Sequence, residues 1–351
     1  MKRIGYVPAL DGLRGVAIAS VVLFHVFRWP RGGFLGVDVF FVLSGFLITT
    51  LLIREWQTSG RISLRGFYRR RALRLLPALT VMLTIFTLEG LLLYSFGRID
   101  GSTFHRWWMS DLSGLLYIQN FVKAIASANT IVGVGQLWSL AAEEQFYIVW
   151  PIVLIWLLRR GSRPQTIAAV AGGAALVVFV HRLELVLAGA PARWIFFSPS
   201  SRSDPIMFGC FLGVCYAFGL LRSRALRIAG LAAPVAGVLG LAMIVTQRNL
   251  STVFPGLLIL EVATGIVLLA TLDGSSGLVA AALSSRPLVG LGKISYGVYV
   301  WHDLFLGLMP AALVIPTVLG VAVLSYEYVE KPFLRRKTSL QGLVPQPVSA
   351  T

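Results

Sequence analysis

The chain has 351 residues, 56% of them apolar and only 13% charged, with a mean hydropathy of +0.78. Soluble domains carry about 25% charged residues, so this composition excludes one and predicts an all-α polytopic helical membrane bundle with the lipid bilayer as its solvent. The net charge of +16, from 31 Lys and Arg against 15 Asp and Glu, marks topology on such a chain, and no nucleic-acid partner is expected.

In chain order, ten spans are predicted, over about 11–28, 36–54, 76–96, 137–158, 166–182, 204–221, 228–246, 254–272, 288–307 and 309–329. They form a single membrane domain over 1–337, followed by a short disordered tail over 338–351. Met1, Lys2 and Arg3 ahead of an apolar run resemble a signal peptide. Asp11 and Arg14 interrupt that run, however, and no small-residue cleavage site follows, so it is read as a retained first span. With the N-terminus in the cytoplasm, the connecting segments place 21 Lys and Arg inside and 9 outside, the remaining one being Arg14 within the first span. That asymmetry predicts a multi-pass cell-membrane protein with both termini cytoplasmic. The stretch Trp107–Phe121 resembles a span, but a crossing there would put the basic loop Arg159–Arg163 outside; an interfacial or re-entrant segment is expected instead. Cys210 and Cys215 read as packing residues, with no disulfide or metal site expected. Gly209 and Gly213 read as a close helix contact.

Six constellations carry chemistry. Arg14 and His25 in the first span are eleven positions apart, so they fall on nearly one helix face, roughly 16 Å apart along its axis. An intramembrane charge is costly and seldom idle, and a histidine takes a proton from a hydroxyl near neutral pH. In the second span, Asp38 and Ser44 interrupt apolar helix, and a buried carboxylate needs a partner. Arg71 and Arg74, three apart, precede the third span on one face and offer two guanidinium forks to a phosphorylated ligand. Glu143 and Glu144 open the fourth span about 100° apart, so they take different roles; Glu143 or Asp38 is expected to orient His25. Arg202 and Asp204 stand at the mouth of the sixth span. His302, followed by Asp303, lies deep in the ninth.

Taken in order, these motifs resemble the acyltransferase-3 family of bacterial membrane O-acyltransferases, related to the O-antigen and macrolide acylating enzymes. The resemblance runs over about residues 6–334: Leu10-Asp-Gly-Leu-Arg14 with His25, Gly36-Val-Asp-Val-Phe-Phe-Val-Leu-Ser-Gly45, Arg71-Ala-Leu-Arg74, Leu137-Trp-Ser-Leu-Ala-Ala-Glu143-Glu-Gln-Phe-Tyr, Arg202-Ser-Asp204 and Gly292-Lys-Ile-Ser-Tyr-Gly-Val-Tyr-Val-Trp-His302. One position departs from the family pattern, Ala142 where a valine is expected before the first glutamate.

The resemblance implies transfer of an acyl group, acetyl above all, from cytosolic acyl-coenzyme A to a hydroxyl of a carbohydrate or a glycosylated small molecule. Acyl-CoA is then a donor substrate, and no permanently bound cofactor is expected. His25, Glu143 and Asp38 are the catalytic candidates; Arg14, Arg71, Arg74, Ser44, Arg202, Asp204 and His302 are the substrate-binding ones. No further hydrolase-like domain is expected within these residues. The rival reading is a transporter or flippase, since ten spans with buried charges suit one equally. It is disfavoured by the arginine cluster beside an Arg–His face and by the lack of an internal repeat.

Overall fold

A computed structural model describes residues 6–125, 131–221, 223–246, 250–273 and 277–335, of which 250–256 and 273 as backbone only; among the described residues every regular element is helical. The first apolar run folds as α1 (Pro8–Phe27). Pro8 occupies its first turn, where a missing N–H costs nothing, and Arg28 ends it in left-handed conformation, returning its N–H to the Phe24 carbonyl. A short 3-10 turn leads into α2 (Gly36–Ser59). Ser63 caps α3 (Leu64–Ser95) by accepting the Gly66 N–H.

The Trp107–Phe121 region is not a span. It forms α4 (Gly101–Leu115) and α5 (Gln119–Ile125), neither of spanning length. Trp107 stacks on Phe86, and its indole N–H donates to the Phe86 carbonyl, which clamps α4 to α3. After α6 (Leu137–Arg159) and α7 (Pro164–Leu187) come two short helices, α8 (Ala192–Phe197) and α9 (Pro199–Arg202), and then α10 (Asp204–Ala217). The remaining elements are α11 (Ser223–Thr246), α12 (Leu250–Asp273), α13 (Gly277–Leu283), α14 (Arg286–Lys293), α15 (Ser295–Trp301) and α16 (Ala311–Leu324), the last running on through a π-helical turn.

Among the described residues, seven helices are long and apolar enough to cross a bilayer: α1, α2, α3, α6, α7, α11 and the α16 stretch to Arg335; the bent pair α12–α13 makes an eighth if it is one span. The ten expected spans therefore divide. Residues 204–221 give only α10, whose 14 residues extend about 21 Å, short of the roughly 30 Å hydrocarbon core. Residues 288–307 are broken into α14, α15 and a 3-10 turn, His302–Phe305. Lys293, Ser295, His302 and Asp303 make this segment too polar for an unbroken span, and it packs instead along α1. The expected tail over 338–351 lies outside the described residues.

Helix backbones touch at glycines. A Cβ on Gly45 would lie 2.0 Å from the Ile206 carbonyl oxygen, and one on Gly209 2.2 Å from that of Val42, so α2 and α10 are in direct backbone contact. The Gly209 and Gly213 reading thus corresponds to a real contact. Away from this core, α7 and α11 turn large apolar side chains outward, among them Leu176, Val177, Leu231 and Val235. A surface of that kind suits a bilayer or another protein.

Candidate active site

Six of the ten expected site residues line two cavities, Arg14, Ser44, Arg71, Arg74 and Glu143 the first and His25 the second. The first, about 180 Å³, is lined by Arg14 from α1, Arg71 and Arg74 from α3, Ser44 from α2, Glu143 and Tyr147 from α6, and Tyr296 and Tyr299 from α15. The three expected arginines do converge, although they come from two helices. Arg71 donates from Nε to Glu144 at 2.7 Å, and its guanidinium lies 3.2 Å above the Tyr147 ring. Arg14 and Arg74 form no ion pair among the described residues. Glu143 accepts from the Tyr147 hydroxyl at 2.8 Å. The cavity wall therefore carries three guanidiniums against one carboxylate, which fits an anion with several charges. The α2 side chains along it run from Leu51 to Val37, about 21 Å of helix axis, so it is long and narrow.

The second cavity, about 480 Å³, is lined by His25, Arg31, Lys123, Gln136, Asp303 and the rings of Phe24, Phe34, Trp138, Phe196, Phe197 and Tyr299. His25 Nδ1 lies 2.8 Å from the Val21 carbonyl oxygen. A carbonyl only accepts, so Nδ1 carries the hydrogen and Nε2 keeps the basic lone pair. The His302 ring meets the His25 ring edge-on, with centroids 4.9 Å apart. His302 is fully buried, and its Nδ1 donates to the Tyr299 carbonyl at 2.7 Å. Asp303, next in the chain, is close enough to His25 and Lys123 to interact electrostatically with both. Lys123 donates to the Gly135 carbonyl at 3.0 Å and sits 4.6 Å from the centre of the Phe197 ring.

Five expected site residues lie elsewhere or have other partners, among them His302, which meets the His25 ring but lines neither cavity. Neither Asp38 nor Glu143 lines the His25 cavity, so neither is placed to orient that ring. Asp38 is completely buried, and both its oxygens lie near Nη2 of Arg202, at 2.9 and 3.1 Å. Arg202 and Asp204, expected to touch substrate, line neither cavity. Asp204 binds Arg182 at 2.6 Å, and Arg182 lies 3.8 Å from Glu261. These five charges form one buried network joining α2, α7, α9, α10 and α12. Such groups are retained inside a membrane protein when they are paired.

Two residues beside His25 carry no sequence signal of their own. Lys123 lies in the segment expected at the membrane interface. Asp303 follows His302, and that adjacency was the one available hint. Arg182 and Glu261 likewise come together only in three dimensions.

Among the described residues the chain is thus an all-helical bundle of membrane type, with an arginine-lined cavity and a histidine-lined cavity that have Val37 and Tyr299 in common. The chain belongs to the acyltransferase-3 family, whose acyltransferase domain it matches over residues 7–325. It is similar to the peptidoglycan O-acetyltransferase of Listeria monocytogenes, with 29% identity over 93% of this chain and 56% of that protein. A putative peptidoglycan O-acetyltransferase of Bacillus subtilis is 30% identical over 93% of this chain and 55% of its own length. A putative O-acetyltransferase of Staphylococcus aureus is 28% identical over 97% and 59%. The chain thus spans a little over half the length of these relatives. No solved structure matches it.

Proposed function

We propose that this chain is an O-acetyltransferase that takes its acyl group from acetyl-coenzyme A at the arginine cavity and delivers it to a carbohydrate hydroxyl at the His25 cavity. The observation that carries this reading is that Arg14 and His25 stand on one helix yet line two different cavities, which share only Val37 and Tyr299. The arginine cavity lies at the helix ends where the basic residues cluster, so it faces the cytosol. Its guanidiniums hold the coenzyme phosphates, and the pantetheine arm extends along α2 toward Val37. The opposite cavity, rich in aromatic rings with a few polar groups, fits a sugar. The names of the relatives favour a cell-wall polysaccharide over a small glycosylated metabolite.

His25 Nε2 takes the proton of the acceptor hydroxyl. The hydroxyl oxygen bonds to the acyl carbon, the carbon–sulfur bond breaks, and the proton passes to the departing thiolate. A two-step route, with the acyl group resting on His25, uses the same geometry. Asp303 stabilises the imidazolium that forms. The carrier reading is weaker, because three arginines gather on one cavity and the sequence has no internal repeat.

Acyl transfer from labelled acetyl-CoA to a cell-wall glycan, measured with the protein in lipid nanodiscs, tests this. His25→Ala should lower kcat about 10²–10⁴-fold, the usual cost of losing a general base. Arg71→Lys and Arg74→Lys should raise the donor KM, since lysine replaces a planar fork with a point charge. Exposed Arg69 should tolerate the same change. Full turnover by a well-folded His25→Ala protein would overturn the mechanism.

A further inference from the structure

We infer that Val37 and Tyr299 form a rigid septum that sets the length of the acyl group this protein transfers; the inference rests on the donor reading of the arginine cavity. These two residues alone line both cavities. On that reading the coenzyme stays on the arginine side, so whatever reaches His25 passes between them.

Both walls are held in place. Val37 sits between two fixed neighbours on α2. Gly36 packs so closely on α1 that a Cβ there would lie 2.3 Å from the Ala17 carbonyl oxygen. Asp38 is bound to Arg202 by its buried ion pair. Residue 37 therefore cannot retreat without breaking a helix contact or a buried charge pair. This gives the Asp38–Arg202 pair a use beyond stability: it positions the septum without touching substrate. Across from it, the Tyr299 hydroxyl donates to the Gln136 carbonyl at 2.7 Å and lies 2.5 Å from Ser139 Oγ. Its ring is 5.5 Å from that of His302, which meets the His25 ring edge-on.

Packed interiors do not deform smoothly to admit extra atoms. An acetyl group brings one methyl to the septum, and each longer acyl chain adds a methylene that must lie against Val37. One methylene changes selectivity about 10–200-fold in an apolar pocket. Val37→Ala removes two methyls from the wall and should admit longer chains. Val37→Leu should narrow the passage while leaving the coenzyme grip on the three arginines untouched.

The test is the relative kcat/KM for acetyl-, propionyl- and butyryl-CoA in nanodiscs, with coenzyme A binding as the check on folding. Val37→Ala is expected to raise the butyryl-to-acetyl ratio at least tenfold. Val37→Leu is expected to lower acetyl turnover with the affinity for coenzyme A unchanged. Tyr299→Phe, which removes only the anchoring hydroxyl, should relax chain-length preference in the same sense as Val37→Ala, and it serves if either Val37 variant fails to fold. Acetyl transfer by the wild type with unaltered chain-length preference in the folded variants would overturn the septum. Failure of the wild type to use any acyl-CoA would overturn the donor reading instead.

Discussion

Asp303 shows what a single residue contributes beyond its type. It shares the His25 cavity and follows His302, whose ring rests on that of His25. In the proposed mechanism a carboxylate there stabilises the imidazolium formed during transfer without holding Nδ1, which the Val21 carbonyl already occupies. Asp303→Asn should therefore lower kcat at least tenfold while leaving the donor KM unchanged, and Asp303→Glu should recover part of the loss. Steady-state kinetics on both variants check this, and a raised donor KM with normal kcat would show Asp303 to be a mere scaffold. Arg14, His25, Arg71 and Arg74 were legible in the sequence because helical periodicity alone assigns each of them a face and a depth. The partner of Asp38 was not. It lies 164 positions away on another helix, and no local pattern encodes which buried arginine completes a pair.

Helices in this bundle are held together by backbone contact as much as by side chains. The α2–α10 contact depends on Gly45 and Gly209, where no side chain fits. Gly209→Ala would drive a Cβ to 2.2 Å from the Val42 carbonyl oxygen, and overpacking of this kind typically costs about 1–3 kcal/mol. A lowered Tm for Gly209→Ala in detergent is the expected outcome. Gly237→Ala on α11 is the control, since nothing lies within 4 Å of its Cβ position; equal Tm values for the two would refute the contact. Long apolar helices were readable from composition. Broken ones were not: residues 288–307 read as one span, yet they fold as α14, α15 and a 3-10 turn, with Gly292 of the first piece against the Asp11 carbonyl oxygen of α1.

For the whole molecule, the charge distribution decides orientation. Reporter fusions after Arg74 and Arg163 should read as cytoplasmic, and one at Ser102 as external, because the basic segments stay inside. An external signal at Arg163 would reverse the assignment of the arginine cavity to the cytosol. The helical bundle and its basic asymmetry could be anticipated from 351 residues of mostly apolar chain. The division of the site into two chambers could not, since it arises where α1, α2, α6 and α15 meet.

The Val37–Tyr299 wall has a further consequence. In the proposed orientation, the two cavities serve opposite faces of an energised membrane, and each 100 mV across it is worth about 2.3 kcal/mol per elementary charge. Ions and protons would run down any continuous wet path between them. On that reading the pair of side chains proposed to face the acyl group would also have to block such a path, so a passage widened for larger acyl groups would come at the expense of electrical insulation.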